Sequence, residues 1–509
     1  MRNLEDLNLT TEELAALAEK LLGKTKKNNT MVIDFYEFTM AQTYFDKGEV
    51  DREVYFDVFF RTNPFNGGYA VNGGLDNIIE YINNFKFTEE DIEYLRGTGK
   101  FTEEFLAYLK DIKFTGDIYA IPDGTPVFPN EPVITVKAPV IQAQLIETAL
   151  LTNFNHGTLV TTAAKRIVEA AGGVPVMEFG ARRARGEDSA VDASKYAYVA
   201  GCVGTSNTMA GRVHGVPVMG TMAHSMVCDA DTEYEAFLEY AKSNPNNAIF
   251  LVDTYDTLRS GIPNAIRVAK EYLVPNGYAF KGIRIDSGDL AYLSVEARKM
   301  LDAAGFPDAG ICLSNGLNEQ TIRSLKEQGA KVNSFGIGDN IAAAKERVGG
   351  VYKLVAVEQD GELLPRIKLS NDAIKTINPG YKRVYRFYDK VTGYALGDVI
   401  ALAHEEIPED KFVLIDPVDE WKRTEITDYD VRELQVPIFE NGVQVYEMPD
   451  VDERREYCAR EFATIYPEVK RELKPHGYYV DLTVQLLQLK KELINRHKEE
   501  QPKEKVYRA

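Results

Sequence analysis

A chain of 509 residues is too long for one hydrophobic core, so roughly two or three domains are expected. Its 44% hydrophobic and 27% charged residues are ordinary for a globular protein. A formal charge of −19 without any long basic cluster argues against nucleic acid or an anionic membrane as partner, while leaving room for a small phosphorylated substrate held by a few arginines. Cys202, Cys228, Cys312 and Cys458 form no CxxC pair, and the six histidines show no ligand spacing, so neither a zinc ribbon nor a disulfide framework is indicated. No apolar run approaches ~18 residues and the opening Met1-Arg-Asn-Leu-Glu carries no signal-type apolar stretch, which gives a cytoplasmic expectation.

The chain opens with a helical pattern at Thr10–Leu17, then a polar break at Lys24–Asn29. Met31–Tyr44 reads as an amphipathic helix with Phe35, Phe38, Met40 and Tyr44 as core candidates. Val54–Phe60 alternates as a strand and runs into the Gly67-Gly68 turn, with Arg61 as a surface charge or an anion contact. Two Phe-Thr-Glu-Glu boxes, Phe87–Glu90 and Phe101–Glu104, introduce helices capped by Thr. Residues 115–138 predict a small β-layer and Gln142–Thr152 a helix, with a domain boundary near 155.

From Val174 the texture becomes strand, turn, helix, repeated. Strands are predicted at Val174–Phe179, Val216–Met219, Ala248–Val252, Gly282–Ile285, Gly310–Leu313 and Val332–Phe335, with a weaker one at Gly201–Gly204. Helices fill the gaps at Ala193–Val199, Thr232–Ser243, Ile262–Leu273, Leu290–Ala304 and Asn318–Gln328. Such alternation implies parallel strands with helical crossovers. The fold class expected is α/β, a trimmed, irregular (β/α) barrel, with an open doubly wound sheet as the alternative.

In a parallel barrel the carboxyl ends of these strands gather at one mouth. They finish in Glu178-Phe-Gly-Ala-Arg182-Arg183, Gly204-Thr-Ser-Asn207, Gly220-Thr221-Met-Ala-His224-Ser225, Val252-Asp253-Thr254, Arg284-Ile-Asp286-Ser-Gly-Asp289, Ser314-Asn315-Gly316 and Gly336-Ile-Gly338-Asp339. Helix capping accounts for Ser287, Ser314 and Asn318, but not for Arg182, Arg284 and His224 in the same ring. The arginines offer forks for carboxylate or phosphate. Ser314-Asn-Gly316 and Gly336-Ile-Gly338 precede helical patterns and could cradle a phosphate, although a lone Gly-x-Gly is as readily a structural turn. Asp253, Asp286 and Asp289 suit Mg²⁺ or a developing positive charge. Residue chemistry alone thus predicts an enzyme for a phosphorylated, carboxylated small molecule, and leaves the reaction open.

Beyond the ring, Gly349–Val357 and Pro365–Ser370 read as strands about a hairpin at Gly361-Glu362. Short strands at Val384–Tyr388 and Lys411–Ile415 suggest a β-rich layer, followed by charged helix over 451–500, including Asp481–Leu493, and a loose tail. Three segments are expected: 1–155, an N-terminal α+β domain forming part of a substrate funnel; 156–355, a barrel-like catalytic domain; and 356–509, a C-terminal β-rich layer with terminal helices.

Between about residues 31 and 385 the motifs in this order resemble the nicotinate phosphoribosyltransferase family. The carriers are Asp34-Phe-Tyr-Glu-Phe-Thr-Met40, Phe60-Arg-Thr-Asn-Pro-Phe-Asn-Gly-Gly-Tyr69, Glu178–Arg183, Gly204–Asn207, Gly220–Ser225, Val252-Asp-Thr-Tyr255, Arg284–Leu290 and Gly350-Val-Tyr-Lys-Leu-Val355. The resemblance implies formation of nicotinate mononucleotide and diphosphate from nicotinate and 5-phosphoribosyl 1-diphosphate, as an ATP-dependent, ligase-type reaction of NAD salvage. It implies that His224 is phosphorylated by ATP as co-substrate, that Tyr36 stacks on the pyridine ring from the partner subunit of a homodimer, and that Thr221 and Arg284, with Arg182 beside them, form the nicotinate pocket. Ser225 falls in the same substrate-binding turn. Asp286 or Asp253 would steady an oxocarbenium-like centre, and Mg²⁺ is expected for diphosphate departure.

Three departures stand out. Relatives usually carry Thr after Gly336-Ile-Gly338, where this chain has Asp339, and a carboxylate there repels a phosphate. The following segment to Val348 also lacks the expected proline, and Ser225-Met226 stands where an aromatic is frequent. The alternatives are a transferase for nicotinamide or quinolinate, which Arg284 with Tyr36 disfavours, and a ligand-binding relative with lost or altered activity.

Overall fold

The computed structural model describes residues 28–369 and 376–500, with side chains to 497. The helical pattern at Thr10–Leu17 and the tail beyond 500 lie outside the described residues, as does Ser370 at the end of the predicted strand from Pro365.

The first unit is built on an antiparallel sheet. Helix α1 (Phe35–Asp46) starts four residues later than its apolar pattern predicts, and of its four core candidates only Phe38 is buried. Strands β1 (Glu53–Phe59), β2 (Asp117–Ala120) and β3 (Ile134–Pro139) follow, the last two forming the predicted small layer. Thr88 and Thr102 do cap the helices Glu89–Gly97 and Glu103–Asp111, each accepting a backbone N–H three residues on. Caps of this kind contribute about 1 kcal/mol each.

The predicted helix Gln142–Thr152 is split at Ile146: its first residues close a short helix, Val140–Leu145, and the rest open a much longer one, α2 (Glu147–Ala171), inside which residue 155 lies. Its Ala-, Thr- and Gly-rich middle lets the backbone of Gly73-Gly74 press against it: a Cβ on Gly157 would stand 2.4 Å from the Gly73 carbonyl carbon. Helix α2 itself contributes to both main cores: Leu159 and Ala163 to the one of the antiparallel sheet, Val160 and Ala164 to the one of the parallel sheet that follows.

That second sheet contains β4 (Val176–Glu178), β5 (Gly204–Thr205), β6 (Ile249–Leu251), β7 (Gly282–Ile285), β8 (Gly310–Ser314) and β9 (Ser334–Ile337), in the spatial order β5-β4-β9-β8-β7-β6. Every pair is parallel, as the alternation with helices requires. The predicted strand Val216–Met219 contracts to one parallel bridge from Val218 to Thr205. The crossovers include α3 (Glu187–Val199), α4 (His224–Asp229), α5 (Leu290–Ala303) and α6 (Glu319–Glu327); the single turn α7 (Asp339–Ala342) follows β9.

The chain then returns to the first sheet through β10 (Val351–Gln359) and β11 (Glu362–Pro365), turning at Asp360-Gly361, both with positive φ. β11 ends at Pro365 and does not reach residue 370: it is an edge strand, and proline supplies no N–H to carry the ladder on. A third sheet contains β12 (Lys382–Asp389) and β13 (Ala395–Leu402), beside the hairpin β14 (Lys411–Ile415) and β15 (Arg423–Thr427). Strand β16 (Tyr429–Glu433) joins that third sheet, while β17 (Val436–Glu440) and β18 (Val443–Gln444) complete the seven-stranded first sheet in the order β11-β10-β1-β3-β2-β17-β18. After helix α8 (Val451–Ala463), the predicted helix Asp481–Leu493 is corrected at its start. Val480–Leu482 is a strand, β19, paired parallel with β13, and helix α9 runs over Val484–Glu500.

Candidate active site

Strand β7 carries an arginine at a position whose neighbours Ile283 and Ile285 are fully buried, so the alternation of the strand turns Arg284 to the opposite face. There its Nε donates to Ser314 Oγ at 2.8 Å and its Nη2 to Asp286 Oδ1 at 2.8 Å. The Ser314 hydroxyl also donates to Asp286, closing a three-membered bridge across the ends of β7 and β8. The guanidinium lies 5.6 Å from the centroid of the Phe179 ring at the end of β4. Two serines predicted as helix caps therefore have other tasks: Ser314 holds this bridge, Ser287 binds Asp253, and the cap of α5 is Asp289, which accepts from Tyr292 N.

His224 is the first residue of α4, and its side chain is 41% exposed. Nδ1 stands 3.0 Å from Thr254 Oγ1. Nε2 is 4.0 Å from Asp253 Oδ1 and 3.9 Å from Asp286 Oδ2, close enough for attraction when the ring is protonated and too far for a hydrogen bond. Asp253 is nearly sealed, at 2% side-chain exposure. Its Oδ2 accepts from Asp286 N at 2.9 Å and Ser287 Oγ at 2.5 Å, while its Oδ1 has no hydrogen-bond partner among the described residues. The imidazole and the Arg284 guanidinium thus share one rim, with Asp286 between them.

The phosphate-cradle candidates sit on the neighbouring strand ends. Asn315 and Gly316 take φ of 88° and 63°, a left-handed pair that turns the chain sharply after β8. Asn340 Nδ2 donates to Leu317 O at 2.7 Å and ties this turn to the one after β9. Gly336 has no room for a side chain, since a Cβ would meet the Phe179 ring at 2.7 Å. Gly338 presents its carbonyl to Gly180 on the adjacent turn. Asp339 begins α7, half-buried, with no side-chain partner among the described residues.

Three candidates lie at the mouth without being held. Arg182 is exposed in the turn Ala181–Arg183 and makes no ion pair among the described residues. Ser225 is exposed, and Thr221 makes only a 3.5 Å contact from its hydroxyl to Met222 O. Tyr36 is not brought to the His224–Arg284 cluster. It is 46% exposed on α1, where its hydroxyl bonds Glu147; burial, with Glu147 and Glu37 beside it, pushes the phenol above its usual range.

Three further residues were not singled out by sequence. Thr254 was visible as the end of Val252-Asp-Thr, but nothing local tied it to His224. Glu178 is fully buried and accepts from Ser194 Oγ at 3.0 Å, Thr205 Oγ1 at 2.6 Å and Gly180 N, so it holds the turn that carries Arg182; burial raises its carboxyl. Glu37 is fully buried, accepts from Thr148 Oγ1 at 2.5 Å and is pushed up to about 8 by burial, against the lowering effect of that bond.

An imidazole, two carboxylates and a guanidinium gathered at the carboxyl ends of parallel strands define an α/β enzyme-type site for an anionic small molecule. Residues 31–155 match the nicotinate phosphoribosyltransferase (NAPRTase) N-terminal domain, 174–379 the NAPRTase family and 381–490 the NAPRTase C-terminal domain. The chain is 42% identical over 453 residues to nicotinate phosphoribosyltransferase of Bacillus subtilis (strain 168), spanning 88% of this chain and 92% of that one. It is 30% identical over 518 residues to the Homo sapiens nicotinate phosphoribosyltransferase, spanning 90% and 95%. The crystal structure of human nicotinic acid phosphoribosyltransferase matches with a TM-score of 0.80 and 29% identity, over 91% of this chain and 99% of that one. The chain belongs to the nicotinate phosphoribosyltransferase family.

Proposed function

We propose that this protein forms nicotinate mononucleotide and diphosphate from nicotinate and 5-phosphoribosyl 1-diphosphate in cytoplasmic NAD salvage, coupled to ATP hydrolysis through a phosphohistidine at His224. The observation that carries this reading is the approach of His224 and Arg284 to the same carboxylate, Asp286, on an open rim. The ring of strand ends is taken as a (β/α) barrel open between Val218 and Ile249. Supporting this, the strands neighbour one another in chain order once β4 is placed beside β9. The segments 1–155, 156–355 and 356–509 then serve as funnel, catalytic unit and supporting layer.

In this reading the Arg284 fork, steadied by Ser314 and Asp286, takes the nicotinate carboxylate, with Arg182 and Thr221 at the pocket's edge. The pyridine nitrogen forms its bond to the ribose carbon as the bond to diphosphate breaks, with the electron pair leaving on the diphosphate oxygen. Asp286 and Asp253 face the positive charge that grows at that carbon. The 5-phosphate falls to the turns Ser314–Gly316 and Gly336–Gly338, where Asp339 turns away from it. Tyr36, exposed and uncommitted to the cluster of its own chain, is supplied to the partner's site in a homodimer.

No group of three or more His, Cys, Asp or Glu forms a ready metal cage among the described residues. The unpartnered Asp253 Oδ1 and the nearby Asp286 suit Mg²⁺ that arrives with substrate phosphates and needs only one or two protein carboxylates. When bound, such an ion neutralises the departing diphosphate. The test is a turnover assay with nicotinate, phosphoribosyl diphosphate and Mg²⁺, with and without ATP. Nicotinate-dependent diphosphate release stimulated by ATP is expected; nicotinate binding without turnover would overturn the reading.

A further inference from the structure

Between the end of β1 and the terminal helix α9 lies a cavity of about 170 Å³, and none of its lining residues belongs to the ring of strand ends. Its walls are apolar and polar in about equal measure, the apolar part including Phe59, Ile400 and Leu482 from three strands and Ile377 from a loop. Two lysines reach into it, and their surroundings differ. Lys382 Nζ pairs with Asp57 Oδ2 at 2.9 Å, both side chains almost wholly buried, and the other Asp57 oxygen accepts from Thr135 at 2.9 Å. That charge is closed on itself. Lys490 Nζ donates to the neutral Asn378 Oδ1 at 2.8 Å and has no carboxylate within ion-pair distance among the described residues. Burial, with the like charge of Lys382 behind it, presses the Lys490 ammonium below its usual range.

Among the described residues the cavity therefore holds two cations and one anion, which leaves one positive charge without a carboxylate partner. An arrangement of that kind costs free energy unless something neutralises it. The Asn378 amide N–H₂ remains as a donor beside Lys490, and Asn130 lines the same space. One net charge, one available ammonium and a partly apolar wall describe the complement of a monoanion with an apolar body.

We propose that this cavity is a second ligand site, for a small organic monocarboxylate whose carboxylate lies on Lys490 and Asn378 and whose body packs on Ile377, Ile400 and Leu482. The site stands apart from the catalytic cluster, so it does not depend on the function proposed above. A phosphate dianion matches it less well, having twice the charge and nothing to set against the apolar part of the walls.

The probe is benzoate, titrated calorimetrically into the full chain carrying Arg284→Ala, so that the ring of strand ends no longer offers its guanidinium. One saturable site is expected. Lys490→Gln in that background should weaken it tenfold or more, Lys490→Arg should retain it, and neutral benzamide should bind at least tenfold more weakly than benzoate. Inorganic phosphate competing as well as benzoate would overturn the apolar half of the proposal. Should Lys490→Gln fail to fold, crystals of the unsubstituted protein soaked with 4-bromobenzoate decide: a bromine peak beside Leu482 supports the site. Bromine found only at the strand-end ring, or affinity for benzoate indifferent to Lys490→Gln, sinks it.

Discussion

Across a gap of 4.0 Å the imidazole Nε2 of His224 faces Asp253 Oδ1, a buried carboxylate oxygen that no donor satisfies among the described residues. A carboxylate so placed would hold the imidazole in position for the phosphoryl transfer proposed above. Asp253→Asn keeps an acceptor for Asp286 N and Ser287 while cancelling the charge. Turnover should fall by about 10²–10³-fold, with the nicotinate KM changed far less, and the protein should remain folded. A kcat within a few-fold of the parent would show that this carboxylate does not serve the chemistry.

Arg284 makes two directed bonds from one planar fork, to Ser314 and to Asp286. Lysine carries the same charge but lacks the fork, so Arg284→Lys loses at least one of them. The nicotinate KM should rise about tenfold or more, the equivalent of at least ~1.4 kcal/mol, whereas the KM for phosphoribosyl diphosphate should move little. Steady-state kinetics with each substrate varied separately reads the difference. Equal rises in both constants would place the guanidinium on the phosphates instead.

Glu37 allows a stability prediction with a definite sign. Its folded-state pKa of about 8 lies above the ordinary 4.5, so the native state keeps the proton that the unfolded chain releases. The contribution of the neutral carboxyl is whole below pH 4.5 and is lost as pH rises toward 8, after which it is constant. Glu37→Gln removes that dependence. Relative to the parent, the variant should gain on the order of 5 kcal/mol between pH 4.5 and 8, measured as the difference between two urea-denaturation series. Parallel series would mean that Glu37 ionises normally in the fold.

Strand positions were legible where an apolar run ended in glycine or a polar turn: Gly282–Ile285 and Lys411–Ile415 coincide with the observed strands. Val480–Leu482 was not, because its partner β13 lies some 80 positions away and the local pattern merges with that of α9. In the site, Arg284, Asp286, Asp253, His224 and Ser314 announced themselves as polar residues ending apolar strands. Thr254 meets His224 only through the convergence of two loops. Glu37 reads as a solvent-facing helical acid, and it is buried because Thr148, more than a hundred residues on, closes over it. Sequence periodicity records which face of an element is apolar; it does not record which other element arrives there.

Tyr36 gives the last test. Its contacts lie with Glu147 and Glu37, and none joins it to His224 or Arg284 of the same chain. If it completes the site of a partner subunit, Tyr36→Ala and Arg284→Ala disable different chains' contributions to the same pocket. Each variant alone should be nearly inactive. Mixed, unfolded and refolded together in equal amounts, they should regain about one quarter of parental activity, because half the dimers are mixed and each holds one intact site of two. The hydroxyl is occupied by Glu147, so Tyr36→Phe should keep the nicotinate KM within about threefold of the parent, the ring face being what stacks. Recovery in the mixture fixes the trans arrangement. A mixture no more active than its parts would place Tyr36 outside the partner's pocket.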